Sequence, residues 1–255
     1  MIDPTAIIQN GAQIGNNVEI GPFVIVEENV KIGDGCVIES SAVIRGRTTI
    51  GKNNKISSFA VLGVQSQDLK DKNEPTELII GNSNTIREFA TIHLSTNLNS
   101  PTKIGDNCLI MSYAHIAHDC QIGNNVILAN AVNLAGYVKI DDFAIIGGLS
   151  AVNQFTKIGT HSFVGGCSAV KKDIAPFTRG TGNPYKTVGI NSVGLSRKGF
   201  SNLRISQIKK FFKDFYYSQK TFTQSIALAE KNPDLTSDQK VFLDFAKNSE
   251  RGLSK

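Results

Sequence analysis

Read at every sixth residue, the stretch Ile104 to Ala175 repeats one pattern. Ile104, Ile110, Ile116, Ile122, Leu128, Leu134, Ile140, Ile146, Val152, Ile158, Val164 and Val170 fill successive slots with no polar interruption. Four places after each slot stands a residue that is mostly small: Cys108, Ala114, Cys120, Val126, Val132, Val138, Ala144, Ser150, Thr156, Ser162 and Ser168, with Ile174 the bulkiest. Glycine follows the aliphatic slot at Gly105, Gly123, Gly147, Gly159 and Gly165. A six-residue period matches neither the 3.6-residue period of a helix nor the alternation of a half-buried strand. It is the signature of a parallel β-helix, in which three hexads close a triangular coil of about 18 residues. The aliphatic side chains then stack coil on coil inside the prism. The small ones fill a corner, and the glycines suit a tight turn or a positive φ.

The same ladder runs earlier in the chain, from Ile2 through Ile8, Ile14, Ile20 and onward to Leu62. It breaks where Asp68 and Glu74 take aliphatic slots, resumes at Ile80, Ile86 and Ile92, and breaks again over Asn97, Asn99 and Pro101. Two loops are expected, over 63–79 and 93–103. Leu98 is in phase, so a distorted coil is the alternative for the second. Long loops in a compact repeat are commonly functional, and the first carries Gln67, Asp68 and Lys70, polar enough to reach a ligand. The ladder ends near Pro176, and Gly180, Gly182 and Pro184 mark a link. From Phe200 the period becomes helical. Ile205, Ile208, Phe212 and Phe215 share one stripe. Thr221 with Gln224 and Thr236 with Gln239 read as capping boxes of two further helices. The expected organisation is a β-helix over 1–184 and an α-helical domain over 185–255, which could cap the last coil or serve a neighbouring subunit.

Composition changes the picture in two places. The net charge of +5 is uneven: from Lys186 onward there are 13 Lys and Arg against 6 Asp and Glu. A phosphate-bearing or acidic partner and a merely soluble helical surface both fit that excess. The basic residues do not interleave with stacking aromatics, so no nucleic acid is expected. No apolar run approaches the roughly 18 residues of a membrane helix and no secretory leader is read, so a cytoplasmic protein is expected. Cys36, Cys108 and Cys120 take the small inward slot, with Cys167 one place before it. All four are expected to be buried structural thiols rather than metal ligands or disulfides.

The repeat explains Ile116 but not His115, His118 and Asp119 around it. Only four histidines occur, His93, His115, His118 and His161. His115, His118 and His93 fall close together in the coil register, on the outer side of a corner. Histidine is the side chain most readily used as a base near neutral pH, and Asp119 could orient the imidazole through one ring nitrogen. Solvated surface histidines remain the alternative on the residues alone. His161 lies two coils on and is read as structural. No GxSxG, P-loop or GxGxxG occurs, the inward cysteines are poorly placed to react, and no metal site is expected.

The run His115-Ile116-Ala117-His118-Asp119-Cys120 resembles the acyl-carrier-protein:UDP-N-acetylglucosamine O-acyltransferases, a family of hexapeptide-repeat acyltransferases that opens lipid A synthesis. The resemblance extends through Ile20-Gly21-Pro22-Phe23, Gln67-Asp68-Leu69-Lys70, Thr91-Ile92-His93, Ala144 to Gly148, Val164 to Ser168, Gly199-Phe200 and Arg251-Gly252-Leu253. It implies a left-handed coil, an exception to the right-handed crossover rule, and a homotrimer with active sites between adjacent β-helices. It also implies transfer of a 3-hydroxyacyl chain, carried as a thioester on the phosphopantetheine of acyl carrier protein, to the sugar 3-hydroxyl, with no other cofactor. His118 would be the general base, Asp119 its support and the Gly136 amide the oxyanion donor. Gln67, Asp68, His93 and His115 match positions that hold the sugar and its acyl group, and Lys70 a loop lysine near substrate. Gln154 matches a residue on the acyl and pantetheine path, and Gly166 a chain-length ruler. Asn191, Arg197 and Lys198 match the nucleotide end, where cations suit a diphosphate. Four positions depart: Tyr137 and Asn153 stand for histidines, Val193 for a glutamate and Leu94 for an arginine. They leave open an N-acyltransferase acting on a 3-amino sugar nucleotide, or a silent trimeric scaffold that binds acyl carrier protein.

Overall fold

The aliphatic ladder closes into three sheets, which among the described residues have nine, eight and ten strands, all paired in parallel except the end strand of the ten. The computed structural model describes residues 1–72 and 74–255, and within them the chain is a left-handed parallel β-helix followed by helices. Most strands are two residues long, and each pairs with those one coil before and after. One face shows the register. Ile92, Ile116, Leu134, Val152 and Val170 stack inward, while Thr91, His115, Asn133, Ala151 and Ala169 stack outward. The inward residues are buried, and each such side chain contributes about 1.5–3 kcal/mol. Alternation over two-residue strands therefore decides which residues are structural and which are available for chemistry. The small slot is buried as expected, and at Asn54 and Asn84 it holds an amide ladder. There Asn54 Oδ1 accepts from the Asn84 amide at 2.9 Å, and Asn84 Oδ1 from the Cys108 amide at 2.7 Å.

Two expectations need correction. Gly105, Gly123, Gly147, Gly159 and Gly165, which follow the aliphatic slot, do not take the positive φ. That conformation falls two places later, at residues such as Asn53 (φ 55°), Asn107 (φ 56°) and Phe143 (φ 61°). The glycine is there for close approach, since a Cβ on Gly105 would lie 2.7 Å from the Gly123 carbonyl oxygen of the next coil. Cys167 sits at the positive-φ corner and is exposed, whereas Cys36, Cys108 and Cys120 are buried. One place along a hexad separates an inward slot from an outward corner. Burial pushes the Cys108 thiol up to about 11 and the Cys120 thiol up to about 12, so neither is a thiolate near neutral pH.

The first excursion from the ladder leaves the strand Val61–Val64 and returns at Glu77–Ile80. Gly63 at φ +76° opens it, where a Cβ would collide with the Arg45 carbonyl. The second lies between Thr91–His93 and Thr102–Ile104. Its tip is a bridge between Asn97 and Ser100, and Leu98, 55% exposed, has left the ladder.

After the last coil, the strand Lys186–Ile190 pairs antiparallel with Thr178–Thr181 and leads into helices α1 (Ser192–Arg197), α2 (Asn202–Tyr216), α3 (Phe222–Ala229) and α4 (Ser237–Lys247). Both expected capping boxes form, on Thr221 with Gln224 and Thr236 with Gln239. Ile208, Phe212 and Phe215 of α2 are buried with Phe242, Ala175 and Phe177. The terminal segment returns to the prism, where the Asp173 amide donates to Gly252 O at 3.0 Å and Ser254 N to Asp173 O at 2.8 Å. The helices thus cover the apolar end of the coil, which a solenoid cannot leave exposed.

Candidate active site

The outward face that carries His115, Asn133 and Ala151 ends at a corner holding His118, Gly136 and Gln154, one per coil. A groove of about 650 Å³ runs along this face and corner, and Gln67, Asp68, Leu69 and Lys70 of the first loop form its other wall. The loop keeps its shape through Asp68: Oδ1 accepts from the Lys70 amide at 2.9 Å while Oδ2 lies 3.9 Å from His118 Nε2.

His118 and Asp119 form a hydrogen-bonded pair, Nδ1 to Oδ2 at 2.7 Å, with side chains only 7% and 3% exposed. The histidines lie outside the coil, as the register requires, but they are not solvated, because the loops and neighbouring rings cover them. With Nδ1 donating to the carboxylate, Nε2 is left as an acceptor toward the groove. Gly136 lies one coil beyond, against the ring. A Cβ there would sit 2.5 Å from His118 Nε2, so only glycine admits the imidazole in this position. At some corresponding hexad positions the amide is taken by a side chain, as where Asn82 Oδ1 accepts from Lys52 N at 2.8 Å and Asp142 Oδ1 from Asn124 N at 2.7 Å. Among the described residues the Gly136 amide has no such partner.

His115 Nδ1 pairs with Thr91 Oγ1 at 2.8 Å, and His93 packs edge-on against His115 with ring centroids 5.0 Å apart. His93 is buried and its Nδ1 has no partner among the described residues. Burial first, and then the charges of His115 and His118, push its pKa from the ordinary 6.5 down to about 4. His115 is lowered by the same burial and by His118. The folded protein therefore prefers neutral His93, and the unfolded chain takes up a proton first as pH drops. Stability conferred by this preference is complete above about pH 6.5 and is lost progressively as pH falls toward 4. Urea midpoints at pH 7 and pH 5 measure the loss, and His93→Gln is expected to flatten it. An unchanged slope in that variant would clear His93 of the effect.

Of the remaining residues singled out in the sequence, Gln154 lines the groove, as does Asn153. Gly166 lies at the corner on the opposite edge of the same face. Asn191 spends its amide locally: Oδ1 caps α1 at Gly194 N, 3.1 Å, and Nδ2 donates to His161 O at 3.0 Å. Arg197 and Lys198 are exposed, with Lys198 Nζ 5.0 Å from the Phe143 ring centre. None of these three lines the groove within one chain. Val193 is exposed, and Leu94 packs on the aliphatic core. His161 stacks on Phe143 at 4.7 Å, in keeping with a structural role. Sequence reasoning missed Thr91, Thr96 and Thr102. Coil arithmetic would have placed Thr91 beside His115 once the second loop was discounted, but Thr96 lies in the aperiodic segment and gave no signal.

Comparison with known proteins finds relatives along the whole chain. Family models match at residues 29–63 and 101–136, described as bacterial transferase hexapeptide repeats, and at 173–254, described as UDP-N-acetylglucosamine O-acyltransferase domain 2. The acyl-[acyl-carrier-protein]–UDP-N-acetylglucosamine O-acyltransferase of a Sulfurihydrogenibium species is 54% identical over 254 residues, covering 99% of this chain and 94% of its own. That of Chlamydia caviae is 45% identical over 255 residues, covering 100% and 91%. The solved UDP-N-acetylglucosamine acyltransferase of Francisella novicida superposes with a TM-score of 0.96 at 34% identity, covering 100% of this chain and 94% of its own. The Campylobacter jejuni structure gives 0.93 at 36% identity, covering 100% and 99%. Repeat, groove, dyad and full-length likeness converge, and this chain belongs to the family of acyl-[acyl-carrier-protein]–UDP-N-acetylglucosamine O-acyltransferases.

Proposed function

We propose that this chain transfers a 3-hydroxyacyl group from acyl carrier protein to the 3-hydroxyl of UDP-N-acetylglucosamine, the opening step of lipid A biosynthesis. One observation carries the reading: a buried His118–Asp119 pair presents Nε2 to a groove beside the amide of Gly136, which has no partner among the described residues. In this mechanism Nε2 takes the hydroxyl proton as the sugar oxygen attacks the thioester carbonyl. The carbonyl oxygen becomes an oxyanion, and the Gly136 N–H is its donor. Collapse breaks the C–S bond, and His118 returns the proton to the departing pantetheine thiolate. Asp119 holds Nδ1 and offsets the imidazolium charge.

Gln67, Asp68, Lys70, His93 and His115 are assigned to the sugar and its acyl group, Gln154 to the pantetheine path and Gly166 to the far end of the acyl tail. The only prosthetic group assigned is the phosphopantetheine that arrives on the carrier. We assign residues 1–184 to the acyltransferase domain and 185–255 to a helical domain that brings Asn191, Arg197 and Lys198 to the nucleotide. Their position outside the groove of one chain favours a homotrimer, in which neighbours complete each other's sites. Phe23, Phe59, Phe89 and Tyr113, exposed along one corner, supply the apolar surface that such packing covers. No helix among the described residues is long and apolar enough to cross a membrane, and a cytoplasmic location suits a carrier-protein substrate.

Incubating purified protein with 3-hydroxyacyl carrier proteins of graded chain length and UDP-N-acetylglucosamine tests the reading. The expected product is the 3-O-acyl sugar nucleotide. An amide formed only from the 3-amino analogue would replace the acceptor, and no product from either would leave a scaffold.

A further inference from the structure

The carboxylate of the dyad is gripped by a residue outside the repeat. Asp119 Oδ2 accepts from His118 Nδ1 at 2.7 Å and from Thr96 Oγ1 at 2.7 Å. The Thr96 amide lies 3.2 Å from Oδ1 and 3.1 Å from Oδ2. The backbone amide of Asp119 donates to Thr102 Oγ1 at 2.8 Å. Thr96 Oγ1 in turn lies 3.0 Å from the Tyr137 hydroxyl, whose ring stands edge-on to His118 with centroids 5.3 Å apart. A threonine hydroxyl has one proton to give. Thr96 gives it to Asp119, so Tyr137 must be the donor to Thr96. The chain of donation runs from Tyr137 to Thr96 to Asp119, and Asp119 also receives the Nδ1 proton of His118. A carboxylate that is 3% exposed needs such donors to offset the cost of burying its charge.

We propose that Thr96, held in its rotamer by Tyr137, is the positioning residue that fixes the Asp119 carboxylate, and through it the tautomer and plane of His118. The proposal rests on His118 acting as the base. It gives Tyr137, which stands where the resemblance implies a histidine, a role through its hydroxyl. It also couples the dyad to the second loop, because Thr96 belongs to that segment and His118 does not.

The test uses the full chain with Thr96→Val, Thr96→Ser and Tyr137→Phe, each alone, and Thr96→Val also combined with Asp119→Asn. Thr96→Val is expected to lower kcat by roughly 10- to 100-fold, the scale on which a partner that orients a histidine matters, with both KM values nearly unchanged. Thr96→Ser, which keeps the hydroxyl, is expected to recover most of that loss. Tyr137→Phe is expected to give a smaller, few-fold fall in kcat. In the Asp119→Asn background the valine should add little, since the carboxylate it acts through is gone. Full kcat in Thr96→Val, an equal penalty with and without Asp119, or a serine variant no better than the valine would each overturn the proposal. Should Thr96→Val fail to fold, the serine and Tyr137→Phe variants decide: normal kcat in Tyr137→Phe then counts against it. His118→Ala separates the two layers, because wild-type turnover there removes the base itself, whatever Thr96 does.

Discussion

His118→Ala is expected to lower kcat by about 10²- to 10⁴-fold, the range general-base catalysis contributes, while the protein stays folded. The imidazole lies outside the coil, and the ladder beneath it, Ile92, Ile116 and Leu134, is untouched. What remains at the site is an Asp119 carboxylate still bound by Thr96 and a Gly136 amide still free to polarise a thioester. Activity therefore falls steeply but not to the uncatalysed rate, because the oxyanion donor and the groove persist. Single-turnover transfer from radiolabelled 3-hydroxyacyl carrier protein measures the fall, and circular dichroism melting checks the fold. Undiminished turnover would take His118 out of the mechanism.

The second large effect is expected at Gly136→Ala. The added methyl group would lie 2.5 Å from His118 Nε2 and 3.1 Å from Nδ1, and no carbon approaches an imidazole that closely. The ring must tilt away from the sugar, or the corner must shift and carry the amide with it. Either movement spoils the alignment of base and oxyanion donor. A loss of about 10²- to 10³-fold in kcat follows, comparable to deleting an oxyanion-hole donor. Because the new Cβ points out of the prism, the melting temperature should move little. Wild-type kcat with a normal fold in this variant would mean that neither group acts where the geometry puts it.

The histidines show what covering does to a site. In the sequence they stand in outward slots, which reads as solvated. In the structure His93 is buried, its Nδ1 has no partner among the described residues, and its pKa is depressed. The difference comes from the second loop and from ring-on-ring packing with His115, and neither is encoded in a six-residue period. Cys167 departs in the opposite sense: it stands one place before the inward slot and is expected to be buried with the other three cysteines, yet the corner turns it outward.

The prism was legible because its cause is local. Each hexad must place one aliphatic side chain inward, so the ladder from Ile2 to Val170 announces itself without knowledge of what packs on it. The caps of α3 and α4 are local for the same reason, since Thr221 and Thr236 bond within their own first turns. Counting 18 residues also aligns His118 with Gly136 and Gln154. The grip of Thr96 on Asp119, the approach of Asp68 to His118 and the return of Leu253 to the last coil join segments that share no period. Such contacts arise only when loops fold back over the prism. The chain alone therefore declared the scaffold and its candidate base, and the folded molecule decided which groups hold that base in place.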